Sequence, residues 1–213
     1  MARTKHKRIA EARNFPNVFL LLSEKDTDLL KEHFNQNKLL TLEIGCGHGD
    51  YSVELARKFP DRNFIGIDIK GARIHSGAIR AIEEKLNNVS FIIGRAEKLS
   101  GIIRPNSVEE IYIPFPDPHV RRTSQYRRLI SPNFLDIYKD FLTEKGVIHF
   151  KTDNEGLYEY GLKVITEYGC EILYQTEDFY GKDENDLQSQ IKTRYEEHYM
   201  KDGRKIRYIR FKF

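Results

Sequence analysis

The chain has no tryptophan and only two cysteines, Cys46 and Cys170, among its 213 residues. Two thiols so far apart cannot build a disulfide framework, and neither has metal-ligand spacing, so a reducing cytoplasm and no metal centre are expected. No apolar run approaches the length of a membrane span, and no signal-peptide core follows the N-terminus, so no membrane partner is expected. Internal repeats and low-complexity segments are missing too. A large excess of one charge is also absent, because 35 Lys+Arg stand against 32 Asp+Glu for a net charge of +3. What remains, 39% apolar and 31% charged residues, describes a soluble globule long enough to bury one full core.

The distribution of charge says more than its sum. "MARTKHKRIAEAR" carries five Lys/Arg against one acid, "RRTSQYRR" four Arg and no acid, and "KDGRKIRYIRFKF" six Lys/Arg against one acid. A single basic run is most simply a solvated face. Three runs, each with Tyr, Phe or His close by, point to a polyanionic partner.

Strand and helix patterns alternate from about residue 39 to residue 168. "KLLTLEIGCG" reads as a buried parallel strand entering a tight turn, "DYSVELARKFP" as a helix stopped by Pro60, "NFIGIDI" as a strand and "ARIHSGAIRAIEEKL" as a helix. "VSFIIGRA" and "SVEEIYIPFP" follow as strands, and "NFLDIYKDFL" as a helix closed by the glycine of "TEKG". After these come strand "GVIHFKTD", helix "GLYEYGLKVITEYG" and strand "CEILYQT". "KIRYIRFKF" reads as a final strand with one wet face. The pattern predicts a doubly wound α/β fold with a mostly parallel sheet, whose ligands bind beyond the carboxyl ends of the strands. Residues 1–35 read as a basic N-terminal arm and helix, and residues 36–213 as a single domain.

"LEIGCGHGD" places glycines at 45, 47 and 49, where a chain can turn tightly and a ligand can approach the backbone. A nicotinamide fingerprint needs glycine at position 50, and this chain has Asp50. Glu43 lies inside the first strand, an expensive place for a carboxylate without partners. Asp68 ends the second strand, where a carboxylate reaches the two hydroxyls of a ribose or simply caps a turn.

"EIGCGHG", with Asp68 after "FIGI", resembles the class I S-adenosylmethionine-dependent methyltransferases. That resemblance implies the Rossmann-like class I methyltransferase fold with an antiparallel C-terminal strand. It also implies S-adenosyl-L-methionine as cofactor, with Gly45 and Gly47 against the methionine part and Asp68 on the ribose. "PFPDP" followed by "RR…YRR", then "FKTDNE" and "TRYEEHY", is similar to the bacterial tRNA (guanine-N7)-methyltransferases over roughly residues 40 to 213. The resemblance implies tRNA as partner, Glu43 and Asp68 as cofactor-binding acids and Asp117 as the catalytic acid, itself beside the cofactor. It implies substrate contacts from Arg121, Asp153, Thr193, Arg194, Tyr195 and Glu196. The chain departs from the family pattern twice. Arg95 stands where an acid or amide is usual, which leaves the adenine contact to Arg95 or the backbone of Ala96. His119-Val120 replaces the usual Trp-His, so stacking there is lost or taken by His119.

The chemistry agrees with the motifs. N7 of guanine is an in-plane lone pair without a proton, so its methylation needs no general base. Orientation and electrostatics then supply most of the catalysis. A carboxylate locked between Pro116 and Pro118 suits the positive charge that develops on the ring. The Watson–Crick edge also offers donors, for which Asp117, Asp153 and Glu196 are all candidates. An arginine aimed at O6 and N7 would block the reacting atom, so Arg122, Arg127 and Arg128 are expected on phosphates. Plainer readings stand beside these. "KTDNE" also fits a helix cap through Asp153 or Asn154, and "TRYEEHY" an amphipathic helix. His48 and His149 read as loop or packing residues, and Cys46 as a small buried filler. The same fold acting on another RNA or a small molecule, and a non-catalytic RNA-binding protein, are the competing functions. Monomer and homodimer are both compatible with the sequence.

Overall fold

A computed structural model describes residues 2–20, 38–99, 102–180, 191 and 193–213. The chain folds as two compact units, Met1–Arg104 and Pro105–Phe213.

The first unit contains helix α1 (Ala2–Ala12), strand β1 (Val18–Leu20), β2 (Leu40–Ile44), α2 (Asp50–Lys58), β3 (Asn63–Asp68), α3 (Gly71–Glu83) and β4 (Val89–Ile93). Its strands lie in the order β1-β4-β3-β2, and every pair is parallel. Leu42, Ile44, Phe64, Ile65, Ile67, Val89 and Phe91 are all buried, as strands covered on both faces require. Helix α2 ends where the sequence suggests, two residues before Pro60. There the Asn88 amide lies 3.0 Å from the carbonyls of Ala56, Phe59 and Arg62.

The basic N-terminal segment packs on this unit. Ala12 is buried, Glu11 lies 3.0 Å from His75 Nε2 on α3, and the Asn17 side chain donates to the Ala78 carbonyl. The edge strand β1 pairs Val18 with Phe91. Three residues carry no periodicity, which is why the sequence did not reveal β1. The boundary expected at residue 35 lies outside the described residues.

The second unit contains β5 (Val108–Pro114), a 3-10 turn (Arg122–Arg127), α4 (Pro132–Phe141), β6 (Leu142–Thr152), α5 (Glu155–Glu167), β7 (Glu171–Thr176), α6 (Arg194–Lys201) and β8 (Arg207–Lys212). Its strand order is β5-β6-β8-β7. β5 and β6 are parallel, and β8 runs antiparallel to both of its neighbours. The expected mostly parallel sheet with an antiparallel C-terminal strand is therefore present. Two details differ from expectation. "TEKG" does not close α4: Leu142 is already extended, and residues 143–146 form an excursion inside β6 between the pairs Val108–Leu142 and Glu110–Val147. β8 is no half-wet strand, because it inserts between β6 and β7 and buries Tyr208, Ile209 and Phe211. The alternating exposure falls on β7 instead.

Gly77 of α3 marks a tight contact in the first unit. A Cβ there would lie 2.6 Å from the His48 carbonyl oxygen and 2.9 Å from Phe91 Cζ. Gly77→Ala should therefore cost about 1–3 kcal/mol despite alanine's helix propensity. Gly156→Ala, whose new methyl would meet nothing closer than Asn154 Oδ1 at 3.7 Å, should gain about 0.5 kcal/mol. Urea titrations of the two variants check this, and equal effects would refute it.

Candidate functional site

In the first unit the loop after β2 turns on three left-handed glycines, Gly45 (φ 74), Gly47 (φ 54) and Gly49 (φ 67). L side chains rarely adopt that conformation, so the glycine spacing is a backbone requirement. At Gly49 a Cβ would also strike Phe91 Cε1 at 2.4 Å. The loop docks on the end of β3: the amides of Gly45 and Cys46 both donate to the Ile67 carbonyl, at 2.8 and 3.0 Å. Asp68 fixes it further. Its Oδ2 accepts from the Gly47 amide at 2.9 Å and its Oδ1 from the Lys70 amide at 2.7 Å. A half-buried carboxylate thus stands at a strand end with both oxygens oriented by the backbone.

Glu43 is buried, and its Oε2 accepts from the Ser52 amide and the Ser52 hydroxyl. Burial pushes this carboxyl from its ordinary 4.5 up to about 8, against the two Ser52 hydrogen bonds that pull it down. Asp50, where a nicotinamide fingerprint would need glycine, pairs with Arg80 of α3 at 3.1 Å. Arg95 is exposed and pairs with Glu97, while Ala96 is buried at the start of the 3-10 turn Ala96–Leu99. Cys46 is buried beside the glycines.

In the second unit β5 runs into Phe115, Pro116, Asp117, Pro118 and His119. Prolines alone do not shape this turn, since Phe115 (φ 51) and His119 (φ 41) are both left-handed. Such residues cost of order 1–3 kcal/mol each. Asp117 is exposed at its apex. Arg121, which precedes the following 3-10 turn, and Arg122 and Arg127 on it are exposed, with Arg127 packed over the exposed ring of Tyr126. Arg128 differs from them. It is 6% exposed, donates from Nε to the Pro118 carbonyl at 2.8 Å and lies over the Tyr160 ring at 4.2 Å. A surface phosphate contact, expected of it from sequence, does not fit that burial.

Asp153 follows β6 and accepts from Arg204 at 2.9 Å. The helix cap that "KTDNE" allowed belongs to Asn154, which accepts from the Leu157 amide. Arg204 lies over the ring of Tyr199 at 4.8 Å, and Tyr199 packs near Phe115 and Tyr195. Partial burial raises the Tyr199 hydroxyl pKa, and the carboxylates of Asp153 and Asp117 raise it further. One aromatic ring thus feels both acids.

Thr193 caps α6 in a reciprocal capping box with Glu196. Arg194 is exposed and Tyr195 half-buried on that helix. Glu196 has no exposed surface. Its Oε1 accepts from Lys151 at 3.0 Å and from the Tyr180 hydroxyl at 2.8 Å, and its Oε2 from the Thr193 amide at 2.7 Å. Lys151 is itself buried against the Phe179 ring. Burial, then the neighbouring Glu196 charge, raises the Tyr180 hydroxyl pKa. Sequence reading passed over Lys151 and Tyr180, and read Tyr199 only as a partner of Tyr195 at i,i+4 on a helix. The available signal was a lysine inside the apolar run "HFKTD", which a strand interior tolerates only with a partner.

A mostly parallel sheet flanked by helices, glycine-rich after its β2 strand and carrying an acid at the end of the next, is the Rossmann-like class I methyltransferase fold. A solved structure of an antibiotic-related methyltransferase matches 87% of the chain, and 92% of its own length, with TM-score 0.62 at 23% identity. A SAM-dependent methyltransferase from Aquifex aeolicus matches 86%, and 87% of its own length, with TM-score 0.56 at 14% identity. The family model described as "Putative methyltransferase" matches residues 37–209. The tRNA (guanine-N(7)-)-methyltransferase of Christiangramia forsetii is 41% identical over 99% of this chain and 98% of its own length. The chain belongs to the tRNA (guanine-N(7)-)-methyltransferase family. No helix among the described residues is long and apolar enough to cross a membrane.

Glu43 sets a pH dependence. Folding raises its pKa from 4.5 to about 8, so the folded chain keeps a proton that the unfolded chain releases. Stability is favoured below the lower value and lost as pH rises toward about 8. Relative to Glu43→Gln, the wild type should lose thermal stability across this range. Melting curves of both proteins from pH 5 to pH 8 that stay parallel would contradict a neutral, buried Glu43.

Proposed function

We propose that this protein transfers a methyl group from S-adenosylmethionine to N7 of a guanine in tRNA, in the variable loop, and works in the cytoplasm. The observation that carries the reading is Asp117, an exposed carboxylate at the apex of a strained turn that opens a run of exposed arginines. The donor, when bound, supplies an electrophilic sulfonium methyl. Asp68 suits its ribose, because two backbone amides already orient that carboxylate and leave it lone pairs to accept hydroxyls. Gly45 and Gly47 leave the adjoining backbone open to the methionine part, with Glu43 beneath them. The adenine contact falls to Ala96, because the Arg95 side chain is exposed and paired with Glu97.

Guanine N7 needs no proton removed, so no residue is assigned as a base. Asp117 stabilises the positive charge that reaches the ring as the methyl arrives. Asp117 and Asp153 share the donors of the Watson–Crick edge. Glu196 acts indirectly: its oxygens are occupied by Lys151, Tyr180 and Thr193, so it holds Thr193, Arg194 and Tyr195 in place rather than meeting the base. Arg121, Arg122 and Arg127 contact phosphates. An A-form helix hides N7 in its deep, narrow major groove, so the target guanine lies in a loop or leaves its stack.

The test uses labelled S-adenosylmethionine and two tRNA transcripts, one with guanine in the variable loop and one with 7-deazaguanine there. Label should enter the guanine form alone. Label in both would move the target elsewhere, and RNA bound without label would leave a binding protein. Asp117→Ala should lower turnover about a hundredfold or more while cofactor affinity stays within about threefold. Equal losses in both would remove Asp117 from catalysis.

A further inference from the structure

The stretch that carries Asp117 is left-handed at both ends, at Phe115 and at His119. Neither residue is glycine, and such backbone persists only where its surroundings over-determine it. The front end is anchored in the sheet, where the Phe115 amide donates to the Lys151 carbonyl at 2.9 Å. The back end lies beyond the strand and needs another hold. Arg128 supplies one. Its Nε donates to the Pro118 carbonyl at 2.8 Å, and a terminal guanidinium nitrogen reaches the His119 carbonyl at 3.4 Å. Tyr160 supports the guanidinium plane from one face at 4.2 Å. The planar fork of arginine can serve two carbonyls one residue apart, whereas the single ammonium of lysine offers no such geometry.

The Arg128 backbone also closes the 3-10 turn, donating to the Gln125 carbonyl at 3.0 Å. One residue therefore ties the end of the arginine-bearing turn to the back of the Asp117 loop. We propose that Arg128 is a positioning residue for methyl transfer: its buried guanidinium clamps the Pro118 and His119 carbonyls and so aims the Asp117 carboxylate. It is not a fourth phosphate contact. This rests on the reading of Asp117 as the catalytic acid.

The test uses the full-length protein with S-adenosylmethionine and the guanine-containing transcript. Wild type, Arg128→Lys, Arg128→Ala, Asp117→Asn and the Asp117→Asn/Arg128→Ala double variant are compared. Single-turnover rates are read with both substrates saturating, and tRNA affinity is read across a salt series. Arg128→Ala should slow the saturated rate at least about tenfold, because small misplacements of a reacting group are costly. Its tRNA affinity should stay within about threefold, with an unchanged salt slope, and Arg128→Lys should fall between. Arg128→Ala should add little to the loss already caused by Asp117→Asn, since the clamp acts through that carboxylate.

An unchanged saturated rate with a salt slope smaller by about 0.7–0.9 would make Arg128 a phosphate contact and overturn the proposal. Fully multiplied losses in the double variant would overturn it too, by showing an effect independent of Asp117. A wild-type rate in Asp117→Asn would instead sink the catalytic reading itself, whatever Arg128 does. Should Arg128→Ala fail to fold, Arg128→Lys and Tyr160→Leu, which removes only the ring beneath the guanidinium, carry the same comparisons.

Discussion

The chain leaves two buried parallel strands, β2 and β5, through left-handed backbone, and the site depends on how those two turns are held. Each turn involves a functional carboxylate, Asp68 bonded to the loop after β2 and Asp117 within the turn after β5, and the two turns meet the constraint by different means. After β2 the turn uses glycine three times, at 45, 47 and 49, where the conformation carries no steric cost. After β5 the left-handed positions belong to Phe115 and His119, whose side chains make the same backbone costly. The first turn is therefore held lightly, by amides donating to the Ile67 carbonyl and to Asp68. The second needs a buried cation beneath it.

Buried ionisable groups recur as a structural device. Glu43 sits in an apolar strand, meets the desolvation cost by keeping its proton, and takes two hydrogen bonds from Ser52. Lys151 and Glu196 pair with almost no exposure, and the carboxylate is further satisfied by Tyr180 and by the Thr193 amide. Such a pair adds little net stability over an apolar core, but breaking it by losing one partner costs about 3–5 kcal/mol. The function of the pair is to fix α6, and with it Thr193, Arg194 and Tyr195, relative to β6. Asp153, two residues beyond Lys151 in the chain, is set by the same strand and steadied by Arg204.

Much of this was legible in the residues. Alternating apolar runs and helical spacings located β2 to β7 and the helices between them, because burial on both faces of a parallel strand leaves a continuous apolar run. Glycine at 45, 47 and 49 marked a turn that requires φ > 0, and Asp68 marked a strand end. The failures have physical causes. β1 is too short for a pattern, and "TEKG" has the composition of a helix stop although Gly146 serves a crowded excursion within β6. The charged alternation of "KIRYIRFKF" suggested a final strand with one wet face, yet β8 lies between two neighbours and buries Tyr208, Ile209 and Phe211.

Residue types and their spacing determined what chemistry the chain could hold: a glycine turn beside two acids, and an acid between prolines ahead of four arginines. Short-range rules of backbone geometry and charge suffice for that, since they act within a few residues of the chain. Only the tertiary structure decided which of those groups meet solvent. Arg127 and Arg128 are adjacent and chemically identical, yet one is exposed beside Tyr126 and the other is buried over Tyr160. Glu196 and Asp153 looked equally able to meet a base, yet one is sealed by Lys151 and the other stays partly open. Burial depends on which distant elements pack over a side chain, and no local pattern encodes that.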